Sequence, residues 1–365
     1  ASNTIQLGNT SVSTVNTSGG ITAGGTITAN SAVFTNTTIS GDENVTGHAN
    51  FTSDIKVNNA TVGLGAGGYT SNAVFGKDAL KSNSSGQANV AIGEYALNSN
   101  TSGAKNIAIG QKVLNSNTSG DYNIAVGSES LYRNTSGRSN IALGHLSLYT
   151  NETGYNNIAL GFWSMYSNET GTDNFAAGQA SLHKNRIGSG NFSVGDHSLF
   201  FNVSGNDNFA AGYYSLQNNI SSNNIAIGAS ALNANTTGSN NIGFGYNSLL
   251  SNTTGNNNFA AGDSSLISNT SGYDNFASGY KSLYHNTIGH NNITLGFASL
   301  YFNTIGHDNI ASGYGSMYSN TTGYNNVAIG ANALASNTTG NFNTVIGSGA
   351  DVLSATLSNT TAIGY

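Results

Sequence analysis

Apolar and polar positions recur along most of this chain in a unit of seventeen residues. In Asn106-Ile107-Ala108-Ile109-Gly110 an apolar triplet stands between Asn and Gly. Leu114 follows, then the polar corner Asn117-Thr118-Ser119-Gly120, and the next triplet opens at Asn123. Three apolar residues bounded by Asn and Gly predict a short β-strand. The corner predicts a tight turn, because Asn bonds to nearby backbone and Gly takes left-handed conformations. The motif glycines run from Gly76 through Gly110, Gly127 and Gly212 to Gly364. Every interval is seventeen except Gly212 to Gly228, where one residue is missing from "NNISSNN". Deletions fall in turns rather than ladders, which marks that segment as the turn.

The flanking residues of the triplet compensate each other in volume. Where the first is Phe175, Phe192, Phe209, Phe259 or Phe276, the third shrinks to Ala177, Val194, Ala211, Ala261 or Ser278. Where the first is Ile, the third is large, as in Ile109, Leu143, Leu160, Phe244 and Leu295. Ile310 with Ser312 departs from the pattern. Compensation of this kind belongs to close packing. It predicts that Ile107 and Ile109 line the coil interior, with Ala108 against a neighbouring layer and Leu114 as a further apolar anchor. The sequence leaves open whether Leu114 lies on a second strand or on a helical turn.

A repeat of seventeen residues is too short for paired helices or leucine-rich units. The expected fold is therefore all-β: a β-solenoid, or parallel β-roll, of about eighteen seventeen-residue coils. Stacked at about 4.8 Å per coil, it would form a rod on the order of 80 to 90 Å long. Residues 69–365 are assigned to this solenoid and residues 1–68 to a β-rich stem. In the stem Ile21, Ile27, Val33, Ile39, Val45, Phe51 and Val57 recur every six residues. Each coil buries few apolar side chains, so lateral association of chains is expected to supply the remaining burial, preferably in a homotrimer.

Composition narrows the function. Only 7% of residues are charged, and 48 are Gly. Fixed apolar offsets nevertheless rule out a merely disordered polar tract. With no Cys there is no disulfide or thiolate chemistry, and the absence of Pro suits a backbone committed to ladders. A net charge of −6 with scattered Lys and Arg argues against nucleic acid as a partner. No run is long enough to insert into a membrane. The chain opens at Ala1 in polar sequence, and it is expected to have continued past Tyr365.

Stacking turns each motif position into a column. The turn column contains sixteen asparagines, thirteen of them in Asn-x-Ser/Thr sequons: Asn83, Asn100, Asn117, Asn134, Asn151, Asn168, Asn202, Asn219, Asn235, Asn252, Asn269, Asn320 and Asn337. These are candidate glycosylation sites. Asn185, Asn286 and Asn303 keep the Asn without the sequon, which favours an amide ladder as the primary role. A second ladder is expected at Asn89, Asn106, Asn123 and Asn140. Thr101, Thr118 and Thr135 form a column that raises an ice-binding reading, interrupted at Glu152, Glu169, Arg186 and Val203.

Aromatic residues cluster in the variable positions, with Phe162, Trp163, Tyr213 and Tyr214 as candidates for an adhesive patch or an interchain seam. Catalytic chemistry is thin. Asp196-His197-Ser198 has triad residue types, but neighbours on an extended chain point apart. His290 and His307 should stack one coil apart, two metal ligands without a third. No catalytic, cofactor-binding or metal site is assigned.

The segments "NVAIGEYALNSNTSGAKNIAIGQKVL" and "NNVAIGANALASNTTGNFNTVIG" resemble repeats of bacteriophage tail fibres and related bacterial fibre proteins, over residues 62–365. The Asn-x-Ala-Ile-Gly strand is also similar to the head repeat of YadA-like trimeric autotransporter adhesins, whose coils are shorter. The resemblance implies a homotrimeric fibre at a cell or virion surface, or otherwise extracellular, with an adhesive role toward a glycan or protein receptor. A self-assembling filament, glycan-coated through the sequons, is the alternative.

Overall fold

The Ile-Ala-Ile triplets form strands because β-branched residues fit a pleated ladder and the Gly that follows lets the chain leave it. The computed structural model describes residues 54–364. Of the preceding segment it describes only the backbone of β1 (Val33–Phe34) and β2 (Asn50–Phe51), which pair in parallel with Phe34 opposite Phe51. The rest of the stem, including most of its six-residue repeat, lies outside the described residues.

From residue 54 the fold is a β-solenoid without a helix. β3 (Ile55–Val57) and β4 (Ala60–Gly63) form an antiparallel hairpin, and β4 pairs antiparallel with β5 (Ala73–Lys77). This hairpin, on the stem side of residue 69, belongs to the same sheet as the coils. From β5 onward the strands pair in parallel, one per coil, through β6 (Val90–Ile92) to β22 (Thr361–Ile363). The register advances by one repeat per step, Ile107 facing Ile124 and Ile109 facing Val126. The sixteen-residue coil leaves the ladder undisturbed, with Phe209 still opposite Ile225. The ladder is linear, with β3 and β22 at its two ends.

The second half of the coil is neither strand nor helix. Lys112 and Leu114 take left-handed conformations, φ 55° and 49°, while the residues between and beside them do not. This alternation flattens the chain into a strip whose N–H groups reach both neighbouring coils. Lys112 N donates back to Glu94 O at 2.8 Å, and Leu114 N donates forward to Ser130 O at 3.1 Å. A left-handed non-Gly residue costs about 1 kcal/mol, which an inter-coil backbone bond of similar size offsets.

Strip and strand pack back to back, and the side that forms the core reverses the sequence expectation. Ala108 and Leu114 are both 0% exposed, whereas Ile109 is 36% exposed and Ile107 half-buried. The middle residue of the triplet points inward, and the flanking pair points out. The reason is width: the coil is thin enough that only Ala, with an occasional Ser, Gly, Thr or Val, fits opposite the Ser–Leu column of the strip. At Gly243 a Cβ would come within 2.9 Å of Ser248 Oγ and 3.5 Å of Leu232 Cδ1. Ser193, in the Ala position, bonds to Ser181 Oγ at 2.8 Å across that core. The motif Gly is required by contact as well as by conformation. Gly93 has φ 130°, and a Cβ there would collide with the Gly110 carbonyl of the next coil.

Candidate functional site

Two amide ladders run through the corners. Asn117 Nδ2 donates to Asn100 Oδ1 at 2.8 Å and to Gly120 O of its own turn at 3.0 Å. Asn134 Nδ2 repeats this to Asn117 Oδ1 at 2.7 Å. In the strand-opening column, Asn106 Oδ1 accepts from Asn123 N at 2.9 Å and from Asn123 Nδ2 at 3.1 Å. In the short coil Ser221 replaces the turn Gly. Its hydroxyl accepts from Asn224 Nδ2 at 2.9 Å, and the Asn219 to Asn202 rung lengthens to 3.5 Å.

This geometry favours the amide ladder over the glycosylation reading. From Asn83 to Asn337 the sequon asparagines are buried, and in Asn117 both Nδ2 hydrogens are already donated. A sugar would take one of those hydrogens and need a space the next coil fills. The sequon residues serve turn chemistry in the folded coil, Asn for the ladder and Thr or Ser for the corner. The Thr hydroxyls are committed too: Thr118 Oγ1 donates to Thr135 O, and Thr135 Oγ1 to Glu152 O, each at 2.9 Å. A flat array of free hydroxyls for ordering water is not what this column presents.

The strand face carries Ile109, Leu143, Ile227, Leu295 and Ile329 outward, with Ile293, Ile310 and Phe276 in the neighbouring column. It is a continuous apolar ribbon along the whole stack. The volume compensation lies here: Phe175, Phe192 and Phe209 stack at 4.9 and 4.6 Å, each beside a small third residue. Nothing in the structure explains Ile310 beside Ser312.

The strip face carries the aromatic columns. Tyr132, Tyr149, Tyr166, His183 and Phe200 stack at 5.2, 5.0, 5.3 and 4.8 Å. Phe162 stacks on Trp163 at 4.5 Å, and Tyr213 leans on Tyr214 at 3.9 Å. All four candidate aromatics therefore lie on the strip, on the other side of the core from the apolar ribbon. Burial in the ladder holds His183 below the ordinary imidazole range, opposed by its ring nitrogen's contact with Trp163 O at 3.1 Å.

A second aromatic zone was not singled out in the sequence. Tyr280, Phe297 and Tyr314 stack at 5.1 and 5.2 Å. Tyr284, Tyr301 and Tyr318 stack beside them, at 5.1 Å per step. Between these columns lies a groove of about 490 Å³, with Ala298 and Gly315 in its lining. In the first zone the equivalent positions hold larger residues such as Leu146 and Trp163. The recoverable signal was this coincidence of aromatic walls with a shrunken residue between them.

The candidate chemical clusters do not assemble into sites. Asp196 and His197 do bond to each other, against expectation, because the strip is not extended and His197 sits at φ 55°. Ser198, however, turns into the core and donates to Gly195 O at 3.0 Å. His290 and His307 stack at 4.8 Å and 7°, and Asp308 supplies a third group. His307 and Asn291 hold the Asp308 carboxyl below the usual carboxylate range. Imidazole lone pairs lie in the ring plane, so parallel rings aim them side by side instead of at one ion about 2.1 Å from each nitrogen. The pair belongs to a stack running Tyr273, His290, His307, Tyr324 at 4.6, 4.8 and 5.0 Å.

No protein-family model matches the chain, and no curated protein matches its sequence. Among the described residues, no helix is long and apolar enough to cross a membrane.

Proposed function

We propose that this chain is the shaft of a homotrimeric structural fibre, extracellular or borne on a cell or virion surface, with an adhesive role. The observation that carries the reading is the compensation of volume on the outward strand face. Residues open to water have no reason to trade volume within each triplet, whereas residues packed against a surface of the same period do. The surface with that period is another copy of the chain. A ribbon of this length also exceeds what a monomer ordinarily leaves uncovered. Three ribbons meeting on an axis would bury them all and leave the aromatic strip faces outward for contact.

End-to-end filament growth is less favoured, because the antiparallel hairpin β3–β4 covers the first parallel strand and breaks the coil lattice there. The reading assigns the chain no catalytic, cofactor or metal-binding role. Sedimentation equilibrium with electron microscopy of the full chain tests it. Discrete rods of three-chain mass are expected; monomers, or continuous fibrils of undefined length, would overturn it.

A further inference from the structure

We infer that the groove between the two tyrosine-rich columns of coils 279–330 is a binding site for an extended glycan of hexopyranoses β-linked through opposite carbons of the ring. The inference deepens the adhesive reading above and rests on it for its biological sense, though its chemistry stands on the groove alone.

The groove lies where small residues, Ala298 and Gly315, stand between the two aromatic walls. The residue two after the motif glycine is Lys281, Ala298, Gly315 and Asn332 in successive coils, against Trp163 and Tyr214 elsewhere. Gly315 has φ 59° and Trp163 φ 57°, so the two positions share the left-handed φ and differ in the side chain they carry. The two ends of the groove differ. At one end the Lys281 ammonium lies 5.1 Å from the Tyr280 ring and 5.4 Å from the Tyr284 ring. At the other end the aromatic columns stop, since Ala331 and Ala335 follow Tyr314 and Tyr318. These last two rings have a stacked neighbour on one side only and are 59% and 38% exposed. Their uncovered faces form a shelf beside the Asn332 amide, whose Oδ1 stands over Gly315.

A shelf of ring faces with an amide at its edge suits the C–H face and hydroxyls of a pyranose. The walls repeat once per coil, near 5.1 Å. A pyranose β-linked through opposite ring carbons, with both linkage bonds equatorial, advances by about one ring per unit, close to this step. An extended peptide, at about 3.3 Å per residue, falls out of register with it. An α-helix, about 10 Å wide, is too broad for a floor one residue across.

The test is calorimetric titration of the full chain with β-1,4-linked glucose and N-acetylglucosamine tetramers, with the α-1,4-linked glucose tetramer as the bent comparator. Saturable binding to at least one β-linked tetramer is expected, with weaker binding of the α-linked one. Tyr318→Ala should weaken it by about tenfold, the loss of one ring contact. Gly315→Trp, which rebuilds the side chain found at Trp163, should abolish it. Tyr314→Ala serves as the replacement should Gly315→Trp fail to give folded rods. No binding to either β-linked tetramer, equal binding of the α-linked one, or binding indifferent to these substitutions would overturn the inference. The mass of the same samples separates the two proposals: trimeric rods that bind nothing sink only this one, and monomers that bind sink only the fibre.

Discussion

Asn117 Nδ2 donates a hydrogen bond of 2.8 Å to Asn100 Oδ1 of the preceding coil, and each residue is fully buried. The rung is intact only if the side chain both donates and accepts. Asn117→Asp removes the two donors and leaves Asn100 Oδ1 and Gly120 O facing a carboxylate. Each abandoned buried partner costs about 1–3 kcal/mol, so a clear drop in the unfolding midpoint is expected by thermal denaturation. For the same reason, wild-type chain made in a glycosylating secretory host should carry no N-glycan at Asn117. Peptide mass mapping that finds hexose-bearing Asn117 in folded rods would contradict the buried ladder.

The inverted core makes a paired prediction. Ala108→Leu forces a large side chain into the space between strand and strip, and overpacking of this kind costs about 1–3 kcal/mol. Ile109→Ser changes an outward residue and should leave the coil intact while weakening lateral association. Ultracentrifugation should therefore find lighter particles with Ile109→Ser, and calorimetry a lower melting temperature with Ala108→Leu. The opposite pairing would restore the inside-out arrangement expected from sequence.

His183 gives the rod a pH dependence of known sign. Its folded pKa lies below the ordinary 6.5 because burial disfavours the charged ring. Below pH 6.5 the unfolded chain protonates first, so stability falls with falling pH until the folded ring also protonates. His183→Phe, which continues the column into Phe200, should remove that part of the slope in melting temperature between neutral and mildly acid pH. An unchanged slope would show that other groups carry it.

The short coil predicts a tolerated insertion. Adding one Gly after Ser221 restores the seventeen-residue length where the Asn219 to Asn202 rung is stretched to 3.5 Å. The melting temperature should stay level or rise by a degree or two, since a weak rung becomes an ordinary one of about 1 kcal/mol. A large fall would mean that Ser221 is an essential corner residue and no mere substitute.

The seventeen-residue period, the strand at Ile107–Ile109, the corner at Asn117 and the anchoring role of Leu114 were all legible, because each is a local rule repeated many times. The direction of the triplet was not. Phe175 with Ala177 reveals that two side chains share one wall, but volume trading is blind to whether that wall faces the coil interior or a neighbour. The constant Ala at 108, 125 and 142 was the better signal, since the interior of a thin coil tolerates only the smallest side chain. The conformation of Leu114 was hidden for a different reason. Leu has no preference for the left-handed region, and only the inter-coil bonds to Ser130 and Glu94 hold the strip there. The residues that make a good corner also spell a glycosylation signal, and it was Asn185, Asn286 and Asn303, which keep the Asn without the sequon, that pointed to the ladder.

In the proposed fibre, some seventeen nearly identical coils pose a problem of alignment, because copies that slide past one another by a whole repeat would meet almost the same surface. The single sixteen-residue coil at Ser221 breaks that degeneracy. Together with the Phe ladders at 175–209 and 259–276, it marks each chain like the notches of a key, so that copies in such a fibre would match along their full length in only one setting.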